Sequence, residues 1–142
     1  MKESKEFDRW NDLKKQINLK EEKLFQEREV WWMNFGKNVG VEINGKGNKF
    51  IRAGLILRKY NRQKALVLPI TSKPKSNNPF YFEIVYKNRK FYISLTQSRV
   101  LSSKRFVRKI YKMGACKYNE ILDSFVDNLQ SKTPRKARGS GA

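Results

Sequence analysis

Near the amino terminus, apolar side chains recur every three or four residues. They are Phe7, Trp10, Leu13 and Ile17, with charged residues between them. This spacing gathers them on one face of a helix, and it predicts an amphipathic helix from Lys5 to about Asn18. We expect this helix to be laid against the rest of the protein as an extension. The alternative is an arm that binds a partner.

From residue 29 onwards the pattern changes to short apolar runs divided by turn residues. The runs are rich in β-branched and aromatic side chains, which are typical of strands. The predicted strands are Glu29–Phe35, Arg52–Tyr60, Lys64–Ile70, Tyr81–Tyr86, Lys90–Leu95, Val100–Leu101 and Phe106–Tyr111. Asn61–Gln63 and Asn88–Arg89 are the predicted turns of two hairpins. Because no helical pattern separates these strands, they predict a small barrel and not a parallel sheet.

The first predicted strand, Glu29–Phe35, has apolar side chains on both of its faces. This pattern is typical of a strand that is buried on both sides. We therefore expect Trp32 to pack in the core, since large aromatic side chains commonly anchor small barrels.

A second helical pattern follows Gly114. Its apolar positions are Tyr118, Ile121, Leu122, Phe125, Val126 and Leu129. They form one continuous stripe, which predicts a C-terminal helix packed against the barrel.

These patterns divide the chain into three parts. Residues 1–27 hold the N-terminal helix and a charged linker, whose apolar pair, Leu24 and Phe25, is its expected contact with the body. Residues 28–130 form the mainly β barrel domain with its C-terminal helix. Residues 131–142 form a basic tail that ends in small residues, and we expect it to be disordered. The sequence leaves open whether the last four residues, Gly-Ser-Gly-Ala, are native.

The charge of the chain limits the class of its partners. Of the 142 residues, 32 are Lys or Arg and 13 are Asp or Glu, which gives a formal net charge of +19. This excess favours a polyanion, either nucleic acid or an acidic protein. No apolar run approaches the roughly 18 residues that span a bilayer, and residues 1–6 lack the apolar core of a signal peptide. We therefore expect a cytoplasmic protein without a membrane partner.

Cysteine and histidine usage restricts the chemistry. Cys116 is the single cysteine and there is no histidine, so the sequence offers neither an internal disulfide nor a Cys/His zinc site. The usual carrier of protons at neutral pH is therefore also missing. Any acid or base catalysis must use other groups.

Candidate chemistry concentrates in two stretches beside neighbouring strands. Gly40–Leu57 is a glycine-rich polar loop that runs into a strand, and Leu68–Lys73 ends the next strand with polar side chains. The candidate side chains in these stretches are Glu42, Lys46, Arg52, Thr71, Ser72 and Lys73. Because the two strands are expected to be adjacent, Arg52 and Thr71 can meet at one mouth, which we interpret as a phosphate site for RNA.

Arg52 and Thr71 suit phosphate chemistry. A guanidinium group presents a fork of donors that matches two phosphate oxygens, and a threonine hydroxyl can donate to the same phosphoryl group as charge develops there. RNA carries its own nucleophile, the 2′-hydroxyl, so the expected products are a cyclic 2′,3′-phosphate and a 5′-hydroxyl end. Glu42 is the one carboxylate of the motif, and it either takes the 2′-hydroxyl proton or orients Arg52. We favour orientation, because a carboxylate among many cations is a weak base.

Four sequence blocks occur in an order that is similar to a known family. They are Glu29–Gly36, Gly40 with Glu42, Gly45–Lys46 with Arg52, and Leu68–Lys73. In this order they resemble the PemK/MazF family of toxin endoribonucleases, and Leu95–Val100, with Gln97 inside it, looks like a further strand of that family. The resemblance covers about Arg28–Leu129. The chain departs from the family pattern at Ala53, where the family often has proline, and in its longer loop before Arg52.

The resemblance implies an SH3-like barrel of the CcdB/PemK/MazF type that forms a homodimer and needs no cofactor or metal. It implies a type II toxin that cleaves single-stranded RNA at short sequences and is inhibited by a cognate acidic antitoxin. Arg52 and Thr71 look like the catalytic pair of that family. The substrate-binding residues that it implies are Glu42, Gly45, Lys46, Ser72, Lys73 and Gln97.

A second interpretation keeps the fold without the catalysis. A silent SH3-like barrel would bind RNA through its basic face or inhibit a protein, as the fold-related gyrase poison CcdB does, and fold alone does not separate these functions. The pair of Arg52 and Thr71 favours the ribonuclease, because a binding module has no need of that pair. The sequence does not indicate which RNA bases or which class of RNA is recognised.

Overall fold

The computed structural model describes residues 2–131, so the predicted tail from residue 132 onwards lies outside the described residues. The elements, in chain order, are α1 (Lys2–Asn18), β1 (Glu29–Asn34), β2 (Ile51–Lys59), β3 (Lys64–Thr71), β4 (Tyr81–Tyr86), β5 (Arg89–Ser94), β6 (Arg99–Ser102), a 3-10 turn (Ser103–Arg105), β7 (Phe106–Lys112) and α2 (Ala115–Gln130). Within residues 2–131, no helix is long and apolar enough to cross a membrane.

The strands form one antiparallel sheet. Its order of pairing is β4-β5-β3-β2-β1-β7, and β6 pairs with β3 beside this path. The first half of β3 pairs with β6, and its last residues, Ile70 and Thr71, pair with β5. The path ends at β4 and β7 without closing, which fits a barrel-like fold. The prediction of a small, mainly β barrel with an N-terminal and a C-terminal helix is confirmed.

Alternation along the strands divides the core into two main clusters. The first contains Leu55, Leu57, Leu68, Ile70, Ile121 and Phe125 among others. The second contains Trp31, Met33, Ile56, Val67 and Phe106 among others. Because Ile121 and Phe125 belong to α2, the apolar stripe of this helix packs against the barrel as predicted.

The prediction that Trp32 packs in the core is wrong. Its side chain remains 37% exposed. Val30, two residues earlier on the same face of β1, is buried in the cluster that α2 helps to form, whereas Trp32 lines an apolar recess at the surface. Alternation identifies the face of a strand but not how far a helix covers that face.

Two local predictions also need correction. The turn between β4 and β5 consists of Lys87 and Asn88, one residue earlier than predicted. Both residues have positive φ angles, +48° and +63°, as a two-residue hairpin turn requires. In the linker, Phe25 is buried but Leu24 is exposed, so the contact with the body is made by Phe25.

Candidate functional site

The segment between β1 and β2, residues 35–50, is a long loop that we call the β1–β2 loop. Asn38 holds its two arms together: the side-chain amide donates to the carbonyl oxygens of Phe35 (3.1 Å) and Ile43 (2.7 Å). The backbone N–H of Asn38 donates to the side-chain oxygen of Asn44. The loop that carries Glu42, Gly45 and Lys46 is therefore ordered by hydrogen bonds of its own.

Gly45 lies where the two arms of the β1–β2 loop approach each other. Its N–H donates to the Gly36 carbonyl (2.9 Å), and Lys46 exchanges two backbone hydrogen bonds with Ile51 (2.8 and 2.9 Å). A Cβ atom at position 45 would lie 1.7 Å from the Phe50 carbonyl oxygen. Only glycine fits this approach. Gly45 thus has a packing role, while the side chain of Lys46 is exposed.

Replacing Gly45 with alanine is expected to lower the free energy of unfolding by about 1–3 kcal/mol, because the added methyl group must displace the Phe50 carbonyl. Urea denaturation followed by fluorescence measures this change. Gly114→Ala is the matched control: a Cβ atom there meets nothing within 4 Å. Equal effects at the two positions would contradict the close approach at Gly45.

Gln97 follows β5 and attaches the loop to the barrel. Its Oε1 accepts from the N–H of Ile43 (2.6 Å), which is 54 residues away, and its Nε2 donates to the carbonyl of Val41 (3.1 Å). Both ends of the side-chain amide are therefore bonded to the loop backbone. The structure places Gln97 as an anchor of the loop.

Three half-buried arginines donate to backbone carbonyls inside the β1–β2 loop, at its first residue and just before it. The bonds run from Arg52 Nε to Asn44 O (2.7 Å), from Arg99 Nη1 to Phe35 O (3.0 Å), and from Arg105 Nη1 to Asn34 O (3.1 Å). Burial lowers the pKa of each guanidinium from its ordinary value. The pKa of Arg105 falls to about 10, with the charge of Arg99 as a second cause. Arg105 remains a cation at neutral pH, so this region attracts anions.

Arg52 and Thr71 lie at the ends of neighbouring strands. Gly54 pairs with Pro69, and continuing this antiparallel register by two residues sets Arg52 opposite Thr71. In addition, Nη1 of Arg52 donates to the carbonyl of Ile70 (3.3 Å), the residue before Thr71. The extended register and this bond therefore set the two residues near each other at the strand ends.

The end of β3 differs in exposure from one residue to the next. Thr71 is buried, and its Oγ1 accepts from the N–H of Lys73 (3.2 Å), which leaves the hydroxyl hydrogen available for donation. The side chains of Ser72 and Lys73 are exposed. Tyr81, at the start of β4, interacts electrostatically with Arg52 and partly opposes the burial that lowers the pKa of Arg52.

An open cleft of about 470 Å³ lies between the β1–β2 loop and the segment after β5. Its lining residues are Asn38, Val41, Glu42, Ile43, Thr96, Gln97, Ser98 and Arg99. Glu42 accepts from the N–H of Val39 (3.0 Å), and its charge partly opposes the lowering of the pKa of Arg99. The structure thus brings Glu42 beside Arg99, whereas two backbone carbonyls orient Arg52.

Four framework residues were not predicted as part of the site: Asn38, Asn44, Arg99 and Arg105. The two asparagines did carry a signal, because asparagine in a glycine-rich loop commonly bonds to nearby backbone. Arg99 also carried one, since it follows Gln97 within a block that resembles the family. Arg105 begins the block Arg105–Ile110, which continues that resemblance, but nothing in the sequence indicates its bond to the Asn34 carbonyl, 71 residues away.

The fold and these residues define a class of protein: a small antiparallel barrel whose strand ends and adjoining loop gather cations. Residues 26–127 match the family described as "PemK-like, MazF-like toxin of type II toxin-antitoxin system". Because the match covers most of the chain, the protein belongs to this family and is a toxin of a type II toxin–antitoxin system. A comparison with curated proteins gave no match. The helix α1 lies outside the matched residues.

Proposed function

We propose that this toxin is an endoribonuclease that cleaves single-stranded RNA at short sequences without a metal ion. The observation that carries the proposal is that Arg52 is half-buried and donates two N–H groups to backbone carbonyls, one of them that of Ile70, the residue before Thr71. A guanidinium held in this way offers its other N–H groups in a fixed direction, which suits phosphate oxygens. Ribonuclease activity is a general property of the family and supports this assignment.

The proposed reaction is an internal transfer of the phosphoryl group. The 2′-hydroxyl oxygen bonds to phosphorus and loses its proton, while the bond from phosphorus to the 5′-oxygen breaks and that oxygen gains a proton. The products are a cyclic 2′,3′-phosphate and a 5′-hydroxyl end. Arg52 and the hydroxyl of Thr71 donate to the phosphoryl oxygens as their charge increases, and such fixed donors stabilise a transition state by about 3–4 kcal/mol each.

The other predicted site residues contribute to substrate binding in this proposal. The exposed cations Lys46 and Lys73 meet phosphates on either side of the reacting group, and Ser72 adds a hydrogen bond to the backbone of the RNA. Glu42 faces the cleft beside Arg99, where a carboxylate can accept from the amino group of a base. Gln97 acts on the substrate through the loop that it anchors.

The distribution of acids supports an RNA partner for the barrel. Glu42 and Glu83 are the only acids between residues 30 and 114, so the net charge of the protein is concentrated in this region. Binding through so many cations releases counterions from the nucleic acid. We expect the affinity for RNA to fall steeply as the salt concentration rises.

Cleavage is expected to persist in EDTA, because no step of the proposed reaction uses a metal ion. The test incubates the purified protein with a mixed single-stranded RNA in EDTA and maps the ends of the fragments. Discrete cuts with 5′-hydroxyl ends support the proposal and identify the recognised sequence. RNA that is bound but stays intact would instead favour a silent barrel, and activity restored only by Mg²⁺ would contradict the reaction proposed.

The exposed face around Trp32 is proposed as the contact between two copies of the chain. The recess there is lined by uncharged residues, among them Trp32, Ile70, Tyr86, Phe91, Ile110 and Tyr111. Tyr86 and Tyr111 are stacked with their ring centroids 4.3 Å apart. Lys87 and Arg89 lie at the edge of the recess, each 5.5 Å from a lining ring. In a chain with a net charge of +19, an apolar lining suits a second copy better than an acidic partner. Ala53 and Ile70, the neighbours of Arg52 and Thr71 in the sequence, also line this recess. In the dimer, the proposed cleavage sites of the two copies would therefore lie near the dimer axis.

The partner implied by the family is an antitoxin. We propose that it is acidic and that it binds the cationic surface of the barrel, in competition with RNA and in the same cytoplasmic compartment. Co-purification with a small acidic protein encoded beside the toxin would support this partner. Toxicity that this neighbour does not relieve would count against it.

A further inference from the structure

The helix α1 packs on the end of the β1–β2 loop. Trp10 and Ile17 of α1 and Phe50 of the loop are all buried, and together with Leu13 they form a third apolar cluster, separate from the two clusters of the barrel. The rings of Trp10 and Phe50 meet edge to face with centroids 5.7 Å apart. Phe50 is the last residue before β2, two positions from Arg52. The helix therefore contacts the point where the loop becomes the strand that carries Arg52.

Trp10 also contacts the other end of the loop. A Cβ atom at Gly36 would lie 2.4 Å from two carbon atoms of the Trp10 ring, so the ring occupies the space of a side chain at that position. The N–H of Gly36 donates to the carbonyl of Phe50 (3.2 Å). One indole ring thus packs against both ends of the loop at the place where they are bonded to each other.

Polar contacts extend this attachment. Lys37, the next residue of the loop, lies 3.8 Å from Glu3 and 3.6 Å from Glu6 of α1, and 5.6 Å from the ring of Phe7. From the barrel side, the guanidinium of Arg105 lies 5.5 Å from the Trp10 ring. Trp10 is therefore enclosed between the loop and Arg105, which also donates to the backbone just before the loop.

Between Phe35 and Phe50, the loop has little apolar packing apart from Ile43, which packs against the second core cluster. It contains Gly36, Gly40, Gly45 and Gly47, each of which increases the conformational entropy that must be lost on ordering. Val39 and Val41 are exposed, whereas Phe35 and Phe50, the first and last residues of the loop, are buried. The wall against which Phe50 is buried comes from α1.

We propose that Trp10 is a positioning residue for the substrate loop: by holding Gly36 and Phe50 together, it fixes where the loop presents Glu42 and Lys46. The effect on RNA rests on the proposed ribonuclease function, whereas the ordering of the loop does not. Because α1 lies outside the residues that match the family, the contact between Trp10 and the loop reaches beyond the matched domain.

Hydrogen exchange on the full-length protein tests the ordering of the loop. In Trp10→Ala, peptides that cover residues 36–50 are expected to exchange at least about tenfold faster, while β2 and β3 keep their protection. Trp10→Phe should restore much of the protection, and Lys14→Ala, an exposed change on the same helix, should behave like the parent. Unchanged exchange in the loop of Trp10→Ala would overturn the proposal. Loss of protection throughout β2 and β3 would overturn it too, since Trp10 would then be a general stabiliser.

Steady-state cleavage of RNA tests the consequence for the substrate. Trp10→Ala is expected to raise KM about tenfold and to change kcat less than about threefold. The loop binds RNA, whereas the groups that stabilise the transition state lie on the strand ends, where the Ile70 carbonyl still holds Arg52 when the loop is mobile. An unchanged KM with a mobile loop, or a faster enzyme, would overturn the positioning role. If the parent protein does not cleave RNA, the ribonuclease proposal fails by itself, and the same variants are compared by exchange and by equilibrium binding to RNA.

Discussion

Replacing Arg52 with alanine is expected to slow RNA cleavage at least about a hundredfold, because the variant loses the fixed donors that face the developing charge on phosphate. Most of the affinity for RNA should remain, since many other cations still contact phosphates. The loop should stay in place, because Asn38, Gln97 and Arg99 hold it independently of Arg52. Single-turnover cleavage and equilibrium binding, measured in the same buffer, separate these effects.

Two further variants sharpen this experiment. Arg52→Lys keeps the positive charge but lacks the planar fork, so it should stay close to the alanine variant if geometry matters more than charge. Arg58→Ala removes an exposed arginine from the same strand and should cleave at nearly the parent rate. Cleavage by Arg52→Ala at the parent rate would show that the site lies elsewhere.

Replacing Trp32 with glutamate is expected to convert a dimer into monomers. The variant would place a carboxylate in the middle of the apolar lining, where its desolvation is costly. We expect the dissociation constant to rise at least about a hundredfold, as for a central aromatic residue of an interface. Light scattering coupled to size exclusion, over concentrations of about 1–100 μM, measures the change.

The control for this variant is Val85→Glu. Val85 is exposed on β4 between Ile84 and Tyr86, which line the recess, and alternation points it to the opposite face. It should leave the dimer intact. A parent protein that is monomeric throughout this range would reject the proposed contact, as would a Trp32→Glu protein that stays dimeric.

Strands and helices were predictable from the sequence because apolar periodicity depends on local geometry. The stripe from Tyr118 to Leu129 and the runs in β2 and β3 each indicate their own element. The exposure of Trp32 was not predictable, because it depends on how far a helix about 80 residues later extends over β1. Periodicity indicates which face a side chain occupies, and tertiary packing decides whether that face is covered.

In the candidate site too, features set by the local sequence were predictable and those set by tertiary contacts were not. Arg52 and Thr71 were recognisable because each ends or begins an apolar run and because the two runs form a hairpin. The bonds that Arg99 and Arg105 make were not recognisable, since their partners are backbone carbonyls, which have no sequence signature. The attachment of Trp10 to the loop was hidden for a similar reason, because the pattern around Trp10 indicates an apolar face without indicating what it contacts.

The pairing of β3 has a consequence for how the molecule opens. This strand bonds to β2 along one edge and to β6 and then β5 along the other, so it cannot separate without breaking the sheet on both sides. The buried residues of the cluster around Trp10 belong to neither of the two barrel clusters. Heating should therefore release the amino-terminal helix before the barrel melts, and a protease acting on the partly opened molecule should trim this helix while the strand that ends in Thr71 stays intact.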